Sequence, residues 1–228
     1  YYRMIKIKKY AAIDIGSNAM RLLIVNIVEQ EGKEPQFNKS SLVRVPIRLG
    51  QDAFTVGEIS EDNIDRMCDA MKAFNLLMKV HRVESYKAFA TSAMREAYNG
   101  KEVVEIIKDK ADIIIEIIDG KKEAAIIAST DLHHLIKTDK TYLFVDVGGG
   151  STEFTLFSNG KLVNSKSFKA GTVRLLNEMV CDVVWEEIEK WIKINTADFE
   201  EVTLIGSGGN INKLFKMSEK MQEKPLSY

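Results

Sequence analysis

The chain has 228 residues, 45% of them hydrophobic and 29% charged, enough for one large domain or two small ones with cores of their own. Its 32 lysines and arginines balance 33 acidic residues, so no global positive field holds nucleic acid, and a polyanionic ligand must be gripped locally. No apolar run approaches the roughly 18 residues of a membrane span, and the lysine-bearing start has no apolar signal core, so no membrane role and a cytoplasmic location are expected.

Lys9-Tyr-Ala-Ala-Ile-Asp14 reads as a buried strand, Gly16-Ser-Asn18 as a turn, and Arg21 to Val28 as the returning strand of a hairpin. Leu42 to Leu49 alternates with period two and predicts a third antiparallel strand. Ser60 then caps a helix whose apolar positions Ile64, Met67, Cys68, Met71, Phe74, Leu77 and Met78 recur at three and four, with Glu61 and Asp62 favourably placed in its first turn. Its methionines read as core. Ser85 to Thr91 and Ile113 to Ile118 predict strands, Glu102 to Lys110 and Lys121 to Leu135 helices, so crossovers and a sheet covered on its faces are expected. Cys68 and Cys181 lack metal-ligand spacing and sit in apolar helical patterns, which predicts reduced, packed thiols. His81, His133 and His134 share no ligand spacing with the acids and read as helix-end or surface residues.

After a polar connector at Lys137 to Lys140, Thr141-Tyr-Leu-Phe-Val-Asp146 restarts the opening pattern. Ile13-Asp-Ile-Gly-Ser-Asn18 and Val145-Asp-Val-Gly-Gly-Gly150 are each a buried strand ending beside an aspartate, then a glycine turn, then another strand. Two similar domains facing across a cleft are therefore expected, 1–130 and 131–228. Phe154 to Phe157 and Leu162 to Phe168 predict a second hairpin, closed at Ser158-Asn-Gly160.

Gly148, Gly149 and Gly150 beside Ser151, Thr152 and Glu153 let backbone amides converge on an anion, a composition suited to phosphate. The lysine-containing nucleotide loop is absent, and a strand rather than a helix follows, which excludes the dinucleotide fingerprint. A third cluster, Ile205-Gly-Ser-Gly-Gly-Asn210, precedes a helix with Ile211, Leu214 and Phe215 on one face, so Gly208 and Gly209 stand at a helix start that suits an anion or nucleotide. Asp14, Asp146 and Glu153 lie beside these loops, where negative charge next to phosphate calls for a divalent cation, most economically Mg²⁺. The same aspartates also suit Asx caps of their turns.

The strings Ile13-Asp-Ile-Gly-Ser-Asn-Ala-Met-Arg-Leu22, Ala90-Thr-Ser-Ala-Met-Arg-Glu-Ala97, Val145-Asp-Val-Gly-Gly-Gly-Ser-Thr-Glu153 and Gly206-Ser-Gly-Gly209 resemble, in order, the motifs of the exopolyphosphatase and guanosine pentaphosphate phosphatase family. The resemblance covers essentially the whole chain. It implies an α/β fold of two actin-like (ribonuclease H-like) domains, mixed sheets flanked by helices, with the active site in the interdomain cleft. It implies hydrolysis of terminal phosphate from polyphosphate or guanosine pentaphosphate by metal-assisted attack of water, with Ser17 and Asn18 contacting phosphate. Arg95 would clamp phosphate oxygens, which a planar guanidinium does with two parallel charge-assisted bonds. Glu123, in Asp119-Gly-Lys-Lys-Glu-Ala124, would activate the attacking water. A homodimer extending a basic groove is a common family arrangement.

The chain departs from the family at Ala19, where serine is usual, at Lys122, where a second acid is common, and at Ala125, where arginine is usual. Ala170-Gly-Thr-Val-Arg-Leu175 resembles another family element and makes Arg174 a secondary candidate for substrate or interdomain contact. The stretch from Asn177 to Glu186 is shorter than the family pattern, and the second domain is expected to be cut short or to lack the helical domain of longer members. A kinase of the same superfamily and a non-catalytic guanosine tetraphosphate or nucleotide sensor remain as alternatives, because fold alone does not settle function.

Overall fold

The computed structural model describes residues 5–129 and 139–218. The end of the helix expected to reach Leu135, the start of the connector, and His133 and His134 lie outside them. The chain divides into two compact units, Tyr1–Ile118 and Asp119–Tyr228. Among the described residues no helix is long and apolar enough to cross a membrane.

The first unit opens with β1 (Ile5–Ile15), β2 (Met20–Gln30) and β3 (Gln36–Val45), an antiparallel meander. Two helices follow, α1 (Leu49–Thr55) and α2 (Glu61–His81), then β4 (Ser85–Ala90) parallel to β1. α3 (Ser92–Glu96), α4 (Gly100–Ala111) and the two-residue β5 (Glu116–Ile117) complete a sheet of order β3-β2-β1-β4-β5. Ile13, Ile15, Met20, Leu22 and Ile24 are buried together with Met67, Met71 and Phe74 of α2 and Ile107 of α4. The methionine-rich stripe is core, as its spacing predicts.

β3 starts and stops earlier than the Leu42 to Leu49 alternation suggests. Pro46 offers no N–H to a ladder, and Arg48 turns the chain through a left-handed conformation (φ 64°) into α1. Val43 and Val45 nevertheless face inward and Leu42 and Arg44 outward, so the alternation identified the faces correctly.

The second unit begins with α5 (Gly120–Ser129), which packs against β7 (Thr152–Ser158) and β8 (Lys161–Phe168). β6 (Thr141–Val147) pairs antiparallel with β7 and parallel with β9 (Val202–Ser207), giving the order β8-β7-β6-β9. α6 (Thr172–Leu176) and α7 (Asp182–Thr196) lie between β8 and β9, and α8 (Gly209–Met217) follows β9. One face of the sheet packs Leu143, Phe154, Leu156 and Phe168 against Ile188 and Trp191 of α7. Phe154 and Phe168 meet edge to face, with centroids 5.5 Å apart. The other face holds Tyr142, Phe144 and Phe157, with Ile205 of β9.

The internal copy therefore extends from sequence to topology, because β1, β2, β3 and β4 are repeated in order and direction by β6, β7, β8 and β9. Cys68 is buried in α2, and that burial pushes its thiol pKa up. Cys181 corrects its expectation: it is exposed, in the cap position that precedes α7, whose packed apolar face starts at Val184.

Asp52 joins α1 to the start of α2. Its Oδ2 accepts from Ser60 N (3.0 Å), Ser60 Oγ (2.6 Å) and Asn63 Nδ2 (2.8 Å), while Ser60 Oγ accepts from Asn63 N as the helix cap. Partial burial works against the charge, but the Ser60 and Asn63 bonds and the Arg66 guanidinium outweigh it and hold the carboxyl below its usual range. A depressed carboxylate stabilises the fold above the unfolded pKa of about 3.9, and that stability is lost as pH falls through the folded value. Asp52→Ala should lower unfolding free energy by about 1–2 kcal/mol at pH 7. In urea titrations the difference from wild type should shrink below about pH 4; a loss independent of pH would take the carboxylate out of this role.

Candidate active site

Each sheet ends its first strand in the same kind of turn. Asp14 and Arg21 are register partners across β1 and β2, as Asp146 and Glu153 are across β6 and β7. Between them Gly16 N–H donates to Ala19 O (3.1 Å), and Gly148 N–H donates to Ser151 O (3.0 Å). The turns are thus the same structure at equivalent positions.

In the second unit the chain after β8 closes on this turn. Thr172 N–H donates to Gly148 O (3.0 Å), Val173 N–H to Gly149 O (2.8 Å), and Arg174 Nε to Gly150 O (2.8 Å). All three carbonyls point toward α6. In a trans peptide the C=O and the following N–H point in opposite directions, and no peptide here is cis. The amides of Gly149, Gly150 and Ser151 therefore face away from α6. Among the described residues, no hydrogen bond takes the amides of Gly149 and Gly150. Gly171 makes the approach possible, since a Cβ there would lie 2.3 Å from Gly149 O.

The first unit uses the same device, with Gly50 N–H donating to Ser17 O (2.7 Å) and Arg48 N–H to Asn18 O (3.0 Å). The chain entering α1 thus holds the first turn as α6 holds the second, leaving the amides of Asn18 and Ala19 directed away from it.

The hydroxyls serve mainly to build the turns. Ser151 Oγ donates to Glu153 Oε1 (2.6 Å), Ser167 Oγ donates to the same oxygen (2.8 Å), and Thr152 Oγ1 donates to Ala170 O. Glu153 is only 3% exposed. Ser17 is buried and its hydroxyl shares a 2.9 Å hydrogen bond with that of Ser92, while Asn18 is exposed. The Ser17–Ser92 bond and Thr91 N–H donating to Ile15 O (3.1 Å) tie the Thr-Ser-Ala-Met-Arg segment to the first turn. Arg95, in the last turn of α3, donates from Nη1 to Ile118 O (2.7 Å) and so holds the chain beyond β5. Asp14 forms a 3.0 Å ion pair with Arg21 in which both side chains are about half exposed, a pairing of small net worth.

Gly208 and Gly209 differ in kind. Gly208 (φ 94°, ψ 167°) occupies a region open essentially to glycine alone, and a Cβ there would lie 2.8 Å from Asp146 Oδ1 and 3.1 Å from Val147 O. A Cβ on Gly209 would meet nothing within 4 Å. Asn210 Nδ2 donates to Val147 O (3.1 Å) and to Thr172 Oγ1 (3.4 Å), fastening the start of α8 to the end of β6 and the start of α6. Asp146, Gly148 to Ser151, Thr172, Gly208 and Asn210 are thereby brought together.

Glu123 lies in the first turn of α5, half-buried, in the same unit as the glycine turn. Asp119 caps that helix, its Oδ1 accepting from Lys122 N (2.8 Å). A Cβ on Gly120 would lie 2.6 Å from Ser167 Cβ, so α5 starts against the residue that holds Glu153. Ser92, Ser167 and Asn210 were not singled out in the sequence. Asn210 had a signal, standing directly after the third glycine cluster; Ser92 and Ser167 act only through partners far along the chain.

Gly208→Ala is expected to destabilise by roughly 1–3 kcal/mol through backbone strain and to displace Asp146, whereas Gly209→Ala should be near neutral. Thermal unfolding of both variants checks this; equal effects would remove the special role of Gly208.

A profile of the Ppx/GppA phosphatase family matches residues 27–196. The chain is 30% identical over 229 residues to the bifunctional 3-dehydroquinate synthase/phosphatase of Fusobacterium nucleatum, covering 93% of this chain and 34% of that protein. It is 30% identical over 173 residues to the guanosine-5'-triphosphate,3'-diphosphate pyrophosphatase of Photobacterium profundum, covering 76% of this chain and 34% of the relative. It thus spans about a third of the length of these curated relatives. Among solved structures, the exopolyphosphatase of Cytophaga hutchinsonii superposes with a TM-score of 0.80 at 25% identity, over 96% of this chain and 73% of that one. With the duplicated actin-like sheets, the two glycine turns and these likenesses together, the chain belongs to the Ppx/GppA phosphatase family.

Proposed function

We propose that this protein is a phosphoanhydride hydrolase that removes the terminal phosphate from inorganic polyphosphate or guanosine pentaphosphate. The observation that carries the reading is the direction of the peptide planes: three successive carbonyls bound to α6 turn the amides of Gly149, Gly150 and Ser151 toward one side. Such a set of N–H groups matches the negative charge spread over phosphate oxygens. The first turn, with Asn18 and Ala19, offers a second set of the same kind. Family membership, with relatives named as an exopolyphosphatase and a guanosine-5'-triphosphate,3'-diphosphate pyrophosphatase, supports the choice of substrates.

In this reading the amides of Gly149, Gly150 and Ser151 bind the terminal phosphate, and Gly208 lets the chain at the start of α8 come close to Asp146. Glu123 accepts a proton from the attacking water, a role assigned from the family motif and compatible with its place in the first turn of α5. Arg95 steadies the chain beyond β5 through Ile118 O, and a role in stabilising phosphate oxygens is assigned to it from the family motif alone.

A divalent cation fits the donor set. Asp146 and Glu153, register partners across β6 and β7, supply hard oxygen atoms beside the turn. Such a pair suits Mg²⁺, which keeps several waters and takes one or two carboxylates with phosphate oxygens. Asp146 and Glu153 would hold it; when bound, the ion would supply positive charge against the negative charge of the phosphates.

Phosphate release from long-chain polyphosphate and from guanosine pentaphosphate, with Mg²⁺ and with EDTA, tests the reading. Wild type should release phosphate from at least one substrate only with the metal, and Glu123→Gln should lower kcat by about two to four powers of ten with KM little changed. Release from neither substrate sinks the proposal, and undiminished turnover by Glu123→Gln removes Glu123 from the role.

A further inference from the structure

We infer that Arg174 is a positioning residue, which aims the Gly150–Ser151 amide at the phosphate by holding the Gly150 carbonyl. The inference rests on the reading of that turn as a phosphate cradle and adds the device that keeps it in shape.

The two units solve one mechanical problem differently. In the first, the carbonyls of Ser17 and Asn18 are both taken by backbone amides, those of Gly50 and Arg48. Asp14 and Asp146 are equivalent by register, so Gly150 stands where Asn18 does. In the second unit, among the described residues, backbone donors reach Gly148 and Gly149, through Thr172 and Val173. The third carbonyl is met by a side chain, with Arg174 Nε 2.8 Å from Gly150 O.

The side chain suits this work. Arg174 is only 7% exposed, and a charged donor makes a hydrogen bond about twice as strong as a neutral one. The planar guanidinium also fixes the direction of the bond, which a flexible ammonium would not. α6 has little apolar burial to seat it, since Leu175 is 42% and Leu176 85% exposed. Its place against the turn therefore depends on polar contacts, among them the three bonds to Gly148, Gly149 and Gly150 and that of Asn210 Nδ2 to Thr172 Oγ1, with Met179 N–H donating to Arg174 O (2.9 Å) to brace the far end. Without the guanidinium the Gly150 carbonyl loses this donor, and glycine adds no side-chain barrier to rotation of the Gly150–Ser151 peptide.

Amide hydrogen exchange resolved to the amides of Gly16 and Gly148, paired with calorimetric binding of inorganic tripolyphosphate in Mg²⁺, tests this on wild type, Arg174→Met and Arg174→Lys. Arg174→Met should speed exchange of the Gly148 amide, which closes the turn on Ser151 O, by about tenfold or more, leave that of Gly16 unchanged, and weaken tripolyphosphate binding by roughly 10- to 100-fold. Arg174→Lys should fall between the two in both readouts, and carries the test if Arg174→Met does not fold. Weakened binding with unchanged exchange would overturn the inference and make Arg174 a direct phosphate contact; unchanged exchange and unchanged binding would overturn it outright. A wild type that binds no tripolyphosphate would defeat the phosphate reading and the aim assigned to Arg174, while the exchange data would still decide whether Arg174 holds the turn.

Discussion

The arrangement depends on one constraint, that a carbonyl and the amide that follows it point in opposite directions across a trans peptide. By binding the carbonyls of Gly148, Gly149 and Gly150, the chain at α6 determines where three amides face, with no side chain needed at the binding surface. The glycines then have a definite purpose. Gly171 lets α6 lie against the turn and Gly208 lets the third loop pass beside Asp146, and a methyl group at either place would collide with backbone or carboxylate atoms. The hydroxyls of Ser151 and Thr152, which a motif reading assigns to phosphate, are spent on Glu153 and Ala170 and hold the frame from behind.

Duplication shows which features belong to the architecture and which to chemistry. Both units have the strand pair, the Gly-to-residue-plus-three bond of the turn, the parallel strand beside the first, and a short helix after the third strand that caps the turn's carbonyls. They differ in what surrounds the turn. The first pairs Asp14 with Arg21 and packs Ser17 on Ser92, whereas the second places Asp146 opposite Glu153 and adds a glycine-led helix. At the cross-strand position the first turn thus sets an arginine against its aspartate, and the second sets a carboxylate that two hydroxyls bind.

Much of this was legible in the sequence, because the features concerned are local. The strand–glycine–strand repeats, the helix capped by Ser60 and its Met67, Met71 and Phe74 face all follow from neighbours within a few residues. The helices α1, α3 and α6 were not legible, since five to seven residues are too few to set up a 3.6-residue period. The longer α7 carries its signal in the spacing of Val184, Ile188 and Trp191, all packed on the second core. The partners that complete the turns lay beyond sequence reasoning, because Ser92 reaches Ser17 and Ser167 reaches Glu153 only once the sheets have formed. Arg174 was marked by its Gly-Thr-Val-Arg string, but nothing in the string says that its guanidinium faces a backbone carbonyl.

The most direct test of the account is a titration of ¹⁵N-labelled protein with inorganic tripolyphosphate in Mg²⁺, reading every backbone amide. The largest shifts are expected at Gly149, Gly150 and Ser151, with a second set at Asn18 and Ala19. Binding that leaves these amides unmoved and shifts residues elsewhere would contradict the claim that the turns are phosphate cradles.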